Sequence, residues 1–133
     1  MKILVAYRKD KVDREVMDIA VKHAKAFGGK ILITTSLKGR SSTSKIHYQD
    51  KIDAEKNLEL ANAYFENCGV QCETHLLIRG LDAGEDIVLF AKEKGVDEVI
   101  MSVKKRSKVG KMLFGSTAQF VILESHCPVL AVK

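Results

Sequence analysis

The sequence is poor in several residue types, and each scarcity excludes a class of protein. Tryptophan is absent, aromatic residues total 6%, and the 133 residues include one proline and three cysteines. An odd number of cysteines does not make a closed disulfide framework, so we expect reduced thiols in or near the core. No run approaches the roughly 20 apolar residues that a membrane-spanning helix requires. The first residues lack the apolar core and cleavage site of a signal peptide, so we expect a cytoplasmic protein with no membrane partner.

The cysteines also give little support for a metal site. Cys68 and Cys72 have a spacing seen in some zinc sites, but no second pair follows them. Cys127 follows His126, and one such dipeptide does not complete a tetrahedral ligand set. We therefore predict that the protein has no structural metal.

The overall composition is that of one globular domain. Apolar residues make up 46% and charged residues 29% of the chain. No linker or internal repeat is visible, so we predict a single domain over residues 1–133. The 22 lysines and arginines against 17 acidic residues give a net charge of +5. That excess permits an anionic partner without requiring one.

Short apolar runs alternate with helical stripes along the chain. Strands are predicted at residues 3–7, 31–35, within 70–78, within 96–103 (most clearly at 98–102) and at 129–132, with helices at about 12–27, 46–67, 83–94 and 115–124. On the second helix, Ile52, Leu58, Ala61 and Phe65 mark the expected apolar side. Strands separated by whole helices favour parallel pairing through right-handed crossovers. The sequence therefore predicts an α/β fold, a three-layer α/β/α sandwich around a five-stranded parallel sheet.

Ligands of such sheets bind beyond the carboxyl ends of the strands, where the strand order reverses. The loops after the first, second and fourth strands are therefore candidates. Residues 104–111, which we call the basic segment, contain five cations and no carboxylate. The fourth helix then begins at Gly115, Ser116 and Thr117, and a helix N-terminus attracts phosphate. On local features alone, a simple turn with a solvated basic loop explains the same residues.

Three stretches of the chain resemble a known family. They are ILVAY at residues 3–7, IRGLDAGEDIVLFAKEKGVDEVIM at 78–101 and GSTAQFVILESHCPVLAVK at 115–133. Together they resemble the universal stress protein family, and the similarity runs over essentially the whole chain. The resemblance implies a Rossmann-like fold with strand order 3-2-1-4-5. It also implies a homodimer that pairs through the last strand, formed by Val129, Leu130, Ala131 and Val132.

Members of this family that bind ATP carry the motif G-x2-G-x9-G-[ST] after the fourth strand. The aligned stretch here is SVKKRSKVGKMLFGS, in which Gly115 and Ser116 match while Ser102 and Lys105 replace the first two glycines. The family also tends to place an Asp after the first strand, where this chain has Arg8. These departures keep the attraction for phosphate and change the usual contact with the nucleoside.

The resemblance implies an ATP or AMP site in the cleft between the loops after strands one and four, with Mg²⁺ if the ligand is ATP. Its candidate contact residues are Ala6, Tyr7, Arg8, Thr35, Met101, Ser102, Lys104, Lys105, Gly115, Ser116 and Thr117. Asp10 is a weak candidate for an Mg²⁺ ligand, and a helix cap or surface charge explains it better.

The sequence contains no Walker A lysine motif and no signature of a catalytic triad, so we expect at most weak ATP hydrolysis. Three functions stay open. The first is a dimeric regulator of the stress response that binds nucleotide. The second is a dimeric regulator that acts through partner proteins without nucleotide. The third is a polyanion binder that uses the basic segment, which the shortage of stacking aromatics disfavours for nucleic acid.

Overall fold

Five parallel strands form the centre of the structure, a computed structural model that describes residues 1–6, 13–38, 48–103 and 115–133. The strands are β1 (Lys2–Ala6), β2 (Lys30–Ser36), β3 (Cys72–Leu77), β4 (Glu98–Ser102) and β5 (Val129–Val132). Their order in the sheet is β3-β2-β1-β4-β5, and every neighbouring pair is parallel. Both the predicted sheet and its strand order are therefore confirmed.

Helices cover both faces of this sheet. They are α1 (Arg14–Phe27), α2 (Tyr48–Asn67), α3 (Ala83–Lys94) and α4 (Ser116–Glu124). Side chains of α1 and α2 pack with Ile3 and Ile33 on one face, and those of α3 and α4 pack with Leu4 and Leu32 on the other. The three predicted layers are thus present. Within the described ranges, none of the helices combines the length and apolar character needed to span a bilayer.

The central strand explains why apolar residues run without a break in this part of the sequence. Ile3 and Val5 point into the core beneath α1 and α2, while Leu4 and Ala6 point into the core beneath α3 and α4. All four are at most 4% exposed. A strand covered on both faces has no solvent side, so successive residues are all apolar.

Helix α1 starts at Arg14, later than the apolar spacing predicts. Asp13 has extended backbone angles, and its carboxylate accepts a hydrogen bond from the amide of Glu15. Asp13 is therefore the N-cap of α1, and it satisfies an amide that the helix itself leaves free. At the other end, Gly28 adopts a left-handed conformation with φ of 62° and ends the helix.

The buried side of α2 differs from the prediction at one residue. Ala54, Leu58, Ala61 and Phe65 are buried, whereas Ile52 is 38% exposed. The buried set follows three- and four-residue spacing, and a position two residues before Ala54 faces away from that stripe. Assigning Ile52 to the apolar side was wrong because the small Ala54 occupies the core position instead.

Helices α3 and α4 lie unusually close at one point. A Cβ atom added at Gly84 of α3 would lie 3.1 Å from both Cβ and Cδ1 of Phe120 on α4. This distance is shorter than ordinary van der Waals contact, so the helices can approach this closely because residue 84 has no side chain.

The three cysteines are free and half-buried. Cys68 and Cys72 pack against the core beneath α1 and α2, and Cys127 packs against the opposite core. Burial raises the pKa of the Cys72 thiol to about 12, so this thiol stays protonated at neutral pH. The three thiols thus lie beside the core, as predicted, and their reduced state stays a prediction.

Candidate functional site

The carboxyl ends of three neighbouring strands meet at one edge of the sheet. Ala6, the last residue of β1, pairs with Met101 of β4 on one side and with Thr34 of β2 on the other. Strand β2 continues for two further residues, Thr35 and Ser36. The chain leaves β1 toward α1 and leaves β4 toward α4, which lie on opposite faces. This edge is therefore the topological switch point, where open α/β sheets bind ligands.

The first turn of α4 begins at the same edge, because α4 connects two parallel strands. Gly115 is its N-cap, with extended backbone angles and no side-chain hydrogen bond to the helix. Ser116 is exposed, Thr117 is half-buried, and the first turn contains no acidic residue. The positive end of the helix dipole is thus not neutralised by a side chain of this turn.

The structure brings seven of the eleven predicted contact residues to this edge. Ala6 and Met101 are buried, so they offer little beyond backbone, while Ser102 is half-buried at the end of β4. Thr35 lies at the end of β2, and the remaining three open α4: Gly115, Ser116 and Thr117. Tyr7, Arg8, Lys104 and Lys105 lie outside the described residues, as do Asp10 and the rest of the basic segment.

A buried carboxylate that the sequence analysis missed fixes the end of β2. Asp86 of α3 is 0% exposed, and its Oδ2 accepts a hydrogen bond of 2.7 Å from the hydroxyl of Ser36. Its Oδ1 lies 2.6 Å from both Nε and Nη2 of Arg79. Arg79 also donates to Glu93 at 2.6 Å, and Glu93 followed by Asp86 raises the pKa of the guanidinium. The sequence signal that could have identified this carboxylate is the position of Asp86 directly before Ile87, which is buried.

A second ion pair ties the chain after β2 to the start of α3. The ammonium group of Lys38 donates to Asp82 at 2.7 Å, and both side chains are largely exposed. This hydrogen bond is the main reason that the pKa of Asp82 is lowered. Because Ser36 and Lys38 both contact the N-terminal part of α3, the carboxyl end of β2 is held in place twice.

Two adjacent threonines of β2 differ in their hydrogen bonding. Both are almost fully buried, Thr34 at 0% and Thr35 at 1% exposure. The hydroxyl of Thr34 donates to the carbonyl oxygen of His75 at 3.5 Å. The hydroxyl oxygen of Thr35 has no hydrogen-bond partner, and it is the one such buried side-chain atom in the described part of the chain. Most buried polar atoms are paired, so this exception requires an explanation.

The sheet has a topological switch point and the strand order 3-2-1-4-5, and α4 begins there without an acidic residue in its first turn. Comparison with known proteins agrees with this arrangement. A model of the Universal stress protein family matches residues 1–133. This chain belongs to that family. The resemblance in its strands and its last helix is thereby confirmed.

Relatives and solved structures extend the comparison. Universal stress protein MJ0531 of Methanocaldococcus jannaschii is 36% identical over 83 residues, 62% of this chain and 48% of that relative, so the aligned part spans about half of it. A universal stress protein of Archaeoglobus fulgidus superposes with a TM-score of 0.86 at 36% identity, covering 100% of this chain and 98% of that one. A universal stress protein of the same organism in complex with dAMP gives 0.84 at 31% identity, with the same coverage.

Proposed function

We propose that this universal stress protein is a dimeric cytoplasmic regulator of a stress response, and that it binds an adenine nucleotide beyond the carboxyl ends of β1 and β4. The observation that carries the nucleotide site is the first turn of α4. It begins at the switch point with Gly115 as its cap and without an acidic side chain. Such a turn provides backbone amides and a positive dipole end for an anionic ligand.

The phosphate end of the nucleotide lies at α4. The lack of a side chain on Gly115 allows a phosphate oxygen to approach the backbone, and the hydroxyls of Ser116 and Thr117 add donors. The basic segment precedes this turn in the sequence and supplies five cations. A phosphate placed at this turn meets backbone amides, hydroxyl donors and the positive end of the helix dipole, which is the usual chemistry of phosphate recognition at a helix N-terminus.

The nucleoside end lies toward β2. Strands β4, β1 and β2 are consecutive in the sheet, so β2 is two strand spacings, about 10 Å, from β4. A ligand that extends from α4 across the end of β1 therefore reaches the end of β2. The dAMP bound by the universal stress protein of Archaeoglobus fulgidus, which shares 31% identity with this chain, supports an adenine nucleotide as the ligand.

Calorimetric titration of the full chain tests the site. We expect saturable binding of dAMP and AMP, and binding of ATP that strengthens when Mg²⁺ is added. Inorganic tripolyphosphate, which lacks the nucleoside, should bind more weakly than ATP because it makes only the contacts at α4. Protein purified without bound nucleotide that gives no binding signal with AMP, dAMP or ATP would disprove the nucleotide site.

The dimer forms through β5 in this proposal. Strand β5 lies at the end of the sheet, with β4 as its one neighbour among the described strands. The helix that precedes it in the chain, α4, has exposed apolar side chains: Leu123 is 69% exposed and Ile122 is 40% exposed. An open strand edge favours pairing with a second copy of the chain, and exposed apolar side chains favour burial in an interface.

The pairing pattern of β5 identifies a variant that tests this dimer. The carbonyl groups of Pro128 and Val132 accept hydrogen bonds from β4, so in a parallel ladder the backbone of Ala131 faces the open edge. Ala131→Pro removes an outward amide without breaking the bonds to β4. We expect wild type and the control Ala131→Ser to sediment at twice the chain mass and Ala131→Pro at the mass of one chain. An unchanged dimer in Ala131→Pro would place the interface elsewhere.

A further inference from the structure

We propose that the outward face of α2 binds a basic, amphipathic helix of a partner protein. Helices α1 and α2 cover the same face of the sheet, yet their solvent sides differ. Three large apolar residues of α2 are exposed: Tyr48 at 78%, Ile52 at 38% and Leu60 at 59%. On α1 such exposure is confined to Phe27, the last residue of the helix. A helix with apolar residues on both faces has a second surface to bury.

The exposed apolar residues of α2 lie on one ridge. Tyr48 and Ile52 are four residues apart, and Leu60 follows eight residues later. Lys56 occupies the position between them, where the methylene stem of a lysine covers apolar surface while its ammonium group stays in water. Positions four apart form a continuous row on a helix, and such rows most often pack into the grooves of another helix. This ridge spans about 18 Å, so an average helix of about 12 residues covers it.

Carboxylates flank this ridge on both sides. The neighbouring rows contain Glu55 and Glu59 on one side and Asp53 on the other, and all three side chains are exposed. Asp53 accepts a hydrogen bond of 2.9 Å from the neutral amide of Gln49. Among the described residues, Glu55 and Glu59 form no hydrogen bond or ion pair. Lysines or arginines on both sides of a partner's apolar stripe therefore meet carboxylates that are free to pair with them.

The charge of this face selects its occupant. The exposed charged residues of α2 are four acids and two lysines: Asp53, Glu55, Glu59, Glu66, Lys51 and Lys56. Two such faces repel each other at short range, which disfavours a second copy of this chain as the occupant. The same excess of negative charge repels nucleic acid and anionic lipid. A helix that combines an apolar stripe with basic residues fits both the ridge and its borders.

The face is separate from both surfaces proposed above. Helix α2 packs against β2 and β3, whereas β5 lies at the other end of the sheet. Two copies joined through β5 therefore leave both α2 faces accessible, and one dimer binds two partner helices. The inference does not depend on the nucleotide site, because the ridge faces away from the sheet.

A synthetic peptide tests the apolar ridge. The probe is a fluorescent helix-forming peptide of about 18 residues, with leucines every three or four positions and lysines beside them. Its control has the same composition in scrambled order. We expect saturable binding of the ordered peptide by fluorescence anisotropy, weakened by added salt, and at least about tenfold weaker binding of the scrambled peptide.

Two substitutions on the ridge locate that binding on α2. The double variant Ile52→Gln and Leu60→Gln should bind the ordered peptide at least about tenfold more weakly than wild type, because two apolar contacts are lost. Leu89→Gln changes a residue of α3 that is 41% exposed, and it should leave the affinity unchanged. The melting temperature of the double variant should change little, since neither residue belongs to the core.

Charge reversal tests the acidic borders. The double variant Glu55→Lys and Glu59→Lys should bind the lysine peptide at least about tenfold more weakly and a glutamate version of the peptide more tightly. Absence of binding to the lysine peptide, or equal affinity of wild type for the lysine and glutamate versions, overturns the inference. Wild-type affinity in the Ile52→Gln and Leu60→Gln variant also overturns it. If that variant instead converts an assembly larger than a dimer into a dimer, the face binds a second copy and the inference is wrong.

Discussion

Charged and polar groups are bonded differently on the two sides of the sheet's carboxyl edge. On the side of β2 and α3, Asp86 is fully bonded by Ser36 and Arg79, and Lys38 pairs with Asp82. On the side of β4 and α4, the helix start has neither an acidic residue in its first turn nor a side-chain cap. The charged groups of the first side are paired within the chain, while the second side leaves backbone donors for a ligand.

This difference suggests how the fold separates stability from binding. A buried charge is tolerated where partners surround it, and that arrangement fixes the backbone. A helix N-terminus without its own acid leaves its amides available to an anion, as at α4, whereas at α1 the carboxylate of Asp13 already binds the amide of Glu15. Removing a group from the first side should therefore change stability, and adding a charge to the second should change affinity.

The largest effect is expected from Asp86→Ala. Its loss leaves Arg79 and Ser36 without their buried partner, which should lower the free energy of unfolding by about 3–5 kcal/mol. Urea denaturation followed by circular dichroism measures this change. Glu93→Ala, which removes the half-exposed partner of the same guanidinium, should cost less than about 1 kcal/mol. If the two variants are equally destabilised, the buried carboxylate is not the anchor.

A smaller effect, of opposite sign for stability and binding, is expected from Ser116→Asp. The added carboxylate makes the start of α4 resemble that of α1, so it should stabilise the helix by about 0.3–1 kcal/mol. It should also repel phosphate and weaken AMP binding at least about tenfold, roughly 1.4 kcal/mol. Calorimetric titration measures the change in affinity and urea denaturation measures the change in stability, each beside the neutral control Ser116→Asn. Undiminished AMP affinity in Ser116→Asp would place the phosphate away from α4.

The smallest effect is expected from Lys38→Met. The pKa of Asp82 is lowered in the folded protein because Lys38 donates to it, so the pair stabilises the fold above the ordinary aspartate pKa. That contribution disappears as the pH falls below about 4, where the carboxylate becomes protonated. In Lys38→Met, nuclear magnetic resonance titration should give Asp82 an ordinary pKa. A pKa that stays low in this variant would show that another group lowers it.

The sequence predicted the sheet well because its pattern was strong. Apolar runs such as residues 3–6 and 98–102 alternate with helices that end at Gly28 and Gly95, so element type followed from local residues. Other features depended on tertiary contacts. Ile52 was misplaced because only packing shows that Ala54 faces the core. The bonds of Asp86 join residues up to 50 positions apart, and the contrast between Thr34 and Thr35 depends on a carbonyl of β3.

The absence of a side chain at residue 84 links two parts of the chain that are distant in sequence. Gly84 allows Phe120 to approach α3, and Phe120 lies four residues after the start of α4 at Ser116. A Cβ atom at position 84 requires Phe120 to shift by a few tenths of an ångström, and Phe120 belongs to the helix whose first turn lies at the strand ends. Position 84 is thereby coupled, through the packing of Phe120, to the helix that carries the proposed phosphate site.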